Sequence, residues 1–362
     1  MVELKIEFAL GRTLVRIADG LLSTIGQSLT EAGHAGRVLV VSDEHVAPLY
    51  SREAIRSLEQ AGLETTLHVV TPGDRSKSLA EASALYDRLA AGRFARDSTV
   101  LALGGGMVSD LAGFVAATWM RGVGFVICPT TLEADVDASI GGKTAVNHRA
   151  GKNLIGAFHQ PQMVLTDPSC LRSLSQRDLI AGLGESIKHA AIRDPVFLEW
   201  HRTHREAILA REAPVLQGLI GRNVGIKADV VTQDERERRG IREVLNFGHT
   251  IGHALEARFG YERRHGECVA LGIVVACRLS VGLGSLDGPS ERAVRETLEA
   301  FGLPVSLDSP LPIDEIRNYL HRDKKVAGDR LRFVLLNGLG RTVVRDDVPD
   351  SALLDALAAL EG

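Results

Sequence analysis

Little in this 362-residue sequence is aromatic or sulfur-bearing: Phe, Trp and Tyr together make up 4%, and there are four cysteines. Cys128, Cys170, Cys268 and Cys277 lie far apart, never form C-x-x-C, and mostly sit in apolar runs such as Val126-Ile127-Cys128. That density argues against a disulfide scaffold. There is no basic excess either. Lys and Arg number 42 against 46 Asp and Glu, a formal net charge of −4, which excludes a broad nucleic-acid footprint. No run of about 18 apolar residues occurs, as a membrane span would need. Met1-Val2-Glu3-Leu4-Lys5 lacks a basic start followed by an apolar core, so no signal peptide is expected. These absences imply a protein of the reducing cytoplasm, with neither nucleic acid nor membrane as partner.

What is present is ordinary, with one exception. Hydrophobic residues make up 45% and charged residues 24%, values typical of a globular protein with a real core. The length implies two domains or one unusually large one. Glycine is the exception, at 37 of 362 residues, where about 7% is typical. No collagen period accounts for it.

The first half alternates strands and helices. Apolar strands are expected at 37–42, 67–70, 99–103 and 124–128, with helical periodicity at 51–62, 79–92 and 107–118. This order implies a mostly parallel sheet covered on both faces. From about Leu171 the chain reads as mainly helical, over 174–189, 196–209, 214–231, 245–259, 267–282 and 290–300, with one late strand at 331–336. The stretch Pro161–Ser169 reads as a linker. The expected division is residues 1–168, an α/β domain, and 169–362, a mainly helical one.

Several glycines sit where chemistry is plausible. Leu103-Gly104-Gly105-Gly106-Met107-Val108-Ser109-Asp110 joins an apolar strand to a helix. Glycines there let backbone N–H groups approach an anion at a helix N-terminus. The pattern is neither G-x-G-x-x-G nor a Walker A loop, and a tight strand-to-helix turn explains it as well. Asp43, just past a strand, suits a ribose acceptor or a helix N-cap. Asp137 to Thr144 and Gly151-Lys152-Asn153 hold Gly, Lys, Asn and Asp at high density without a helical pattern. Lysines beside paired glycines suit a phosphorylated or carboxylated ligand; the alternative is a solvated loop.

A second cluster suits a metal. Asn246-Phe247-Gly248-His249-Thr250-Ile251-Gly252-His253 places Asn246, His249 and His253 on one helical face by spacing. His265-Gly266-Glu267 follows, and Glu185 and Lys188 share a face at i, i+3. Two imidazoles and one carboxylate form a common catalytic zinc set. Thr250 stands where H-E-x-x-H needs its glutamate, so a metalloprotease is excluded. Spacing alone favours His249 and His253 as ligands.

Taken together, these residues resemble the 3-dehydroquinate synthase family of sugar-phosphate cyclases. The resemblance runs from about Val38 to Gly340. Its blocks include Pro72 to Lys77, Gly104 to Asp110, Thr118 to Gly122, Pro129 to Asn147, Gly151 to Pro161, Gly182 to Lys188, Arg242 to Glu256, His265 to Ala270 and Asp323-Lys324-Lys325. It implies a Rossmann-like N-terminal α/β domain, a mainly helical C-terminal domain, NAD, one divalent metal (Zn or Co) and a homodimer.

The resemblance also implies roles. Glu185, His249 and His265 match the metal ligands, which moves His253 to the phosphate side. Asn246, Lys152, Asn153 and one of Lys324 and Lys325 match that phosphate pocket, and Arg121 matches a residue reaching it from the neighbouring subunit. Lys227 and Arg242 match binders of the substrate carboxylate. Asp137 and Lys188 match residues that hold substrate hydroxyls, and Lys143 lines the same site. Asp43, Asp74, Lys77, Gly105, Gly106, Asp110, Thr130, Thr131 and, again, Lys152 match the NAD site.

The implied reaction begins with the seven-carbon sugar acid phosphate of the shikimate pathway. Transient oxidation, phosphate elimination, re-reduction, ring opening and aldol closure give 3-dehydroquinate. Departures from the family pattern cluster on the cofactor side: Asp74 for a glutamate, His45 for an asparagine, Ser109 for a glycine, and acids at Glu133 and Asp135. An amino-dehydroquinate synthase, another sugar-phosphate cyclase, a polyol dehydrogenase and a non-catalytic NAD- or metal-binding relative are the competing readings. The informative glycines fall at 104–106, 141–142, 151 and 248–252, each beside a proposed NAD, phosphate or metal contact.

Overall fold

The computed structural model describes residues 1–9, 11–260, 262–307, 315–316, 319–320 and 331–361. Its described residues form two compact units. The first is Met1–Leu174 together with Arg211–Arg236; the second is Ser175–Ala210 together with Glu237–Gly362. The 168/169 division expected from sequence therefore differs from the packing: a helix from the middle of the chain returns to the first unit.

The first unit is built on a seven-stranded sheet. Its strands are β1 (Val2–Phe8), β2 (Gly11–Ile17), β3 (Arg37–Asp43), β4 (Glu64–Val70), β5 (Thr99–Gly104), β6 (Gly124–Pro129) and β9 (Met163–Thr166), in the order β1-β2-β9-β6-β5-β3-β4. All neighbours are parallel except the β1–β2 hairpin. β3, β5, β6 and β9 are almost wholly buried and read as unbroken apolar runs, as strands covered on both faces must. Helices α1 (Ile25–Glu31), α2 (Ala47–Gln60), α3 (Leu79–Ala91) and α4 (Gly106–Thr118) connect them. Helix α8 (Ala213–Gln233) packs against β1, β2 and the turn at 134–138.

One sequence expectation changes here, and two features are added to it. The stretch 161–169 is not a linker. It contains β9, which lies between β2 and β6 inside the sheet; a four-residue strand between Pro161 and Asp167-Pro168 is too short to stand out from its turn signals. The β1–β2 hairpin was not foreseen, although Val2, Leu4 and Ile6 alternate with Glu3, Lys5 and Glu7 at the strand period. The segment 137–153, which carries no helical pattern, is regular structure for much of its length, so the alternative of a solvated loop does not hold. It holds a single π-helical turn (Ala134–Ala138) and the antiparallel pair β7 (Lys143–His148) and β8 (Gly151–Phe158).

The order of strands places a reversal at β3 and β5. From β3 the chain moves outward to β4, then back across to β5. In open parallel sheets ligands settle beyond the strand C-termini at such a switch. Val41 pairs with Ala102, so continuing the register brings Asp43 level with Gly104.

The second unit is mainly helical. It contains α5 (Gln176–Arg193), α6 (Pro195–Thr203), α7 (Arg205–Leu209), α9 (His249–Arg258), α10 (His265–Gly282) and α11 (Gly288–Ala300), plus the short pair β10 (Phe333–Leu336) and β11 (Thr342–Arg345). The expected helix at 196–209 is two helices meeting at His204. Helix α10 is long and apolar enough to cross a membrane on composition alone. Here it is the buried centre of the unit, packed by α5, α9, α11 and β10.

Candidate active site

At the end of β5, Gly105 precedes α4 and takes an extended conformation. The first N–H groups of a helix lack helical acceptors, so this turn is open to an anion. A Cβ on Gly105 would lie 3.2 Å from the Thr131 side chain, and one on Gly106 would lie 3.3 Å from Ala138. Thr130 binds this turn through its N–H to the Gly104 carbonyl, at 3.1 Å. Its own buried hydroxyl has no partner among the described residues. Thr131 is spent locally, its hydroxyl accepting from the Ala134 N–H at 3.2 Å. Asp43 is also used locally: Oδ1 accepts from the N–H groups of His45 and Val46 at 2.8 and 3.0 Å. Asp43 thus closes a local turn, and Val46 rather than Asp43 stands at the N-cap of α2.

The remaining expected cofactor-side residues form one network in this unit. Lys77, 5% exposed, donates to Asp110 Oδ2 at 2.5 Å. Burial pushes the Asp110 carboxyl up, and Lys77 only partly offsets this. Asp74 accepts from Asn147 Nδ2 at 3.0 Å and pairs with Lys152 at 3.2 Å. Asn153, in a left-handed conformation at φ 57°, donates its backbone N–H to Asn147 Oδ1 at 3.0 Å. Asn147 therefore links the β7–β8 pair to the loop after β4; it was not singled out from sequence. The shorter Asp74 still reaches Lys152.

Other expected residues of this unit are placed as follows. Lys227 on α8 donates to both the backbone carbonyl and Oδ1 of Asp137, at 2.6 and 2.7 Å. Lys143 is exposed at the start of β7. Arg121 is exposed and left-handed at φ 70°, beside Met120 at φ 50°. Of the two substituted acids, Glu133 is half-buried at the start of the π-helical turn, and Asp135 is fully buried.

The second unit assembles the metal set. Glu185 Oε1 lies 3.1 Å from His265 Nε2 and 3.4 Å from His249 Nε2. Glu185, His249 and His265 converge well enough to hold one ion. Glu185 is 1% exposed, and the Lys188 ammonium, also buried, sits against its Oε2. Burial alone would push the Glu185 carboxyl up; Lys188 and the two imidazoles overcome that and hold it well below the usual range. Burial and then Lys188 push His249 down, so it stays neutral. The set is therefore a carboxylate with a neutral imidazole at its centre, which is what a divalent cation needs.

Nδ1 of each ring has a neighbour of its own. His249 Nδ1 lies 3.2 Å from the Phe247 carbonyl oxygen, and His265 Nδ1 lies 3.2 Å from Glu256 Oε1. Nε2 of each ring is the nitrogen that faces Glu185.

Glycines bring these helices together. A Cβ on Gly266 would lie 1.8 Å from the Ala181 carbonyl oxygen, and one on Gly184 would lie 2.7 Å from that of Gly266. Gly248 is left-handed at φ 79°, and a Cβ on Gly272 would fall 1.9 Å from its carbonyl oxygen. Glu185, His249 and His265 are each the immediate neighbour of one of these glycines. The glycines at 248 and 252 thus serve helix contacts, where sequence suggested room beside a ligand. Gly248 also overturns the shared helical face for Asn246, His249 and His253. Asn246 ends a separate 3-10 helix (Ile241–Asn246), and α9 begins only at His249.

Asn246 and His253 are exposed. Arg242 is 2% exposed, with Nε 3.6 Å from Glu237 Oε1. Lys324 and Lys325 lie outside the described residues. Glu256 was missed as a site residue; its signal was its place seven residues after His249 on one helix face.

Residues 67–181 match the family model of the 3-dehydroquinate synthase N-terminal region, and residues 182–326 match that of its C-terminal region. The chain is 44% identical to a 3-dehydroquinate synthase of Desulforamulus reducens, over 95% of this chain and 96% of the relative. It is 45% identical to one of Halorhodospira halophila, over 95% of each. Among solved structures it is similar to the 2-epi-5-epi-valiolone synthase of Streptomyces hygroscopicus with NAD+ and Zn2+ bound. That match has a TM-score of 0.88 and 26% identity, covering 99% of this chain and 98% of the other. A 2-deoxy-scyllo-inosose synthase shares the fold, with a TM-score of 0.90 at 24% identity over the whole of both chains.

Proposed function

The chain belongs to the 3-dehydroquinate synthase family, and from that premise we infer the reaction and the roles of its residues. It converts 3-deoxy-D-arabino-heptulosonate 7-phosphate to 3-dehydroquinate and phosphate, a step of the shikimate pathway toward aromatic amino acids. The observation that carries this within the molecule is the buried Glu185 carboxylate facing Nε2 of both His249 and His265.

We propose one divalent ion, Zn or Co, at this triad, since both accept such donors. NAD is proposed at the C-terminal ends of β3 and β5, where the orphaned Thr130 hydroxyl and the glycine turn before α4 support it. When bound, NAD supplies a reversible hydride acceptor and the metal a Lewis acid at the substrate oxygens.

The chain's own residues bind and orient. Lys188 and Asp137 hold substrate hydroxyls, with Lys227 fixing Asp137 in place; Lys143 lines the same site. Lys227 and Arg242 take the carboxylate. Asn246, His253, Lys152, Asn153 and one of Lys324 and Lys325 hold the phosphate, joined by Arg121 of a second copy. Asp43, Asp74, Lys77, Asp110, Gly105, Gly106, Thr130 and Thr131 serve the cofactor, with Lys152 linking both groups through Asp74. On this reading the departing phosphate carries away the neighbouring proton, so these side chains act by holding it still.

The test is phosphate release from the substrate by the purified protein, with the product identified by mass spectrometry. Release that requires both NAD and Zn or Co, yielding 3-dehydroquinate, is expected. Absence of NAD- and metal-dependent release overturns the reading, as does turnover of only an amino-substituted substrate.

A further inference from the structure

We propose that Glu256 is the positioning residue of the metal site: it fixes the tautomer of His265 and strengthens its donation to the ion. This rests on the metal reading of Glu185, His249 and His265 given above.

The geometry points to it from three sides. Glu256 Oε1 lies 3.2 Å from His265 Nδ1, while Nε2 of the same ring lies 3.1 Å from Glu185 Oε1. The imidazole is therefore held between two carboxylates, one on each nitrogen. A neutral ring has one N–H and one lone pair, so one carboxylate must accept a proton while the other shares an ion.

The environment decides which is which. Glu185 is 1% exposed, carries the Lys188 ammonium on its second oxygen and also faces His249 Nε2. It belongs to the side that converges. Glu256 is the acceptor, and His265 donates Nδ1–H to it.

His253, Glu256 and His265 also lie close enough together to suggest an ion of their own. On the Glu256 side the His265 imidazole presents Nδ1, the atom whose proton the first set requires. The two sets compete for one imidazole, and the buried, charge-compensated set prevails. Helix α9 thus contributes twice: His249 in its first turn as a ligand, and Glu256 two turns later on the same face as the partner of the other ligand. A carboxylate on the far nitrogen makes the imidazole a stronger donor, and its loss typically weakens metal binding about 10–100-fold.

The experiment measures Zn2+ or Co2+ affinity of the full chain by competition with a chromophoric chelator, together with the visible spectrum of the Co2+ form. Glu256→Ala is expected to weaken binding about 10–100-fold and to shift the Co2+ bands. Glu256→Gln, which keeps a neutral acceptor and the side-chain volume, should weaken it less. Unchanged affinity and spectrum in both variants overturns the role of Glu256. Lower thermal stability of the metal-free protein with unchanged affinity overturns it too, since that is a packing effect. His249→Ala separates the premises: if it also leaves affinity unchanged, the metal site itself is refuted, whereas its loss of binding beside an unaffected Glu256→Ala refutes only the positioning role.

Discussion

Gly184 and Gly266 meet backbone to backbone, and each adjoins one of the convergent side chains, Glu185 and His265. A Cβ on Gly266 would fall 1.8 Å from the Ala181 carbonyl oxygen, a clash that no flexible side chain can absorb. Two ion pairs reinforce the same junction. Arg177 grips Glu267 at 2.6 and 2.8 Å, and Arg264 meets Asp178 at 2.7 Å.

Gly266→Ala should therefore separate α5 from α10. Overpacking typically costs about 1–3 kcal/mol, and a backbone clash lies at the upper end. A lowered Tm together with weakened Zn2+ binding is expected. A variant as stable and as tightly binding as the parent would show that the helix contact does not position the ligands.

Lys188→Met should leave the Glu185 charge buried without its ammonium. Breaking such a pair costs about 3–5 kcal/mol, but a bound cation would replace the lost charge. The variant should thus gain more Tm from added Zn2+ than the parent does. Equal gains in both proteins would mean that Lys188 does not balance Glu185.

Asp135 should make stability fall with rising pH. Burial pushes its carboxyl well above the usual range and the nearby Asp167 adds to this, while neither carboxyl oxygen has a hydrogen-bond partner among the described residues. The folded state then keeps a proton that the unfolded chain releases above about pH 4. Stability is lost progressively from there up to the raised folded value. Asp135→Asn removes the penalty, so its Tm advantage over the parent should widen between pH 5 and pH 8. A gap independent of pH would contradict a protonated Asp135.

Arg121 should complement across copies of the chain. It is exposed, so Arg121→Ala should abolish activity without unfolding. Lys152→Ala should also be inactive. Mixing and re-associating the two should restore part of the activity, because a mixed pair contains one intact site. No recovery on mixing would argue that Arg121 acts within its own chain.

Much of this was legible from residue types in order. The strands at 37–43, 99–104 and 124–129 appear as apolar runs because both faces are covered. The candidates Glu185, His249, His253 and His265 were visible because few other residue types bind a divalent ion, while spacing alone favoured His249 and His253 and only the family resemblance chose Glu185, His249 and His265. What stayed hidden were features lacking a local signature. β9 is four residues long, and its burial comes from β2 and β6, more than 30 residues distant along the chain. Helix α8 looked like part of the helical half because its periodicity carries no address; its partners are β1, β2 and the turn at 134–138. Asn147 and Glu256 looked like ordinary polar residues.

By itself the sequence determined the element types, the residues able to bind an ion or an anion, and a family pattern over most of the chain. Those depend on side-chain chemistry and short-range periodicity, which a linear sequence contains. Tertiary structure decided which nitrogen of each histidine faces Glu185, which carboxylate accepts the His265 proton, and where glycine is indispensable. Those depend on distances between helices remote in sequence. The glycine excess shows both. Its count was plain from composition, but the need for glycine at 184, 266 and 272 arises only where one helix backbone comes within a Cβ's reach of another.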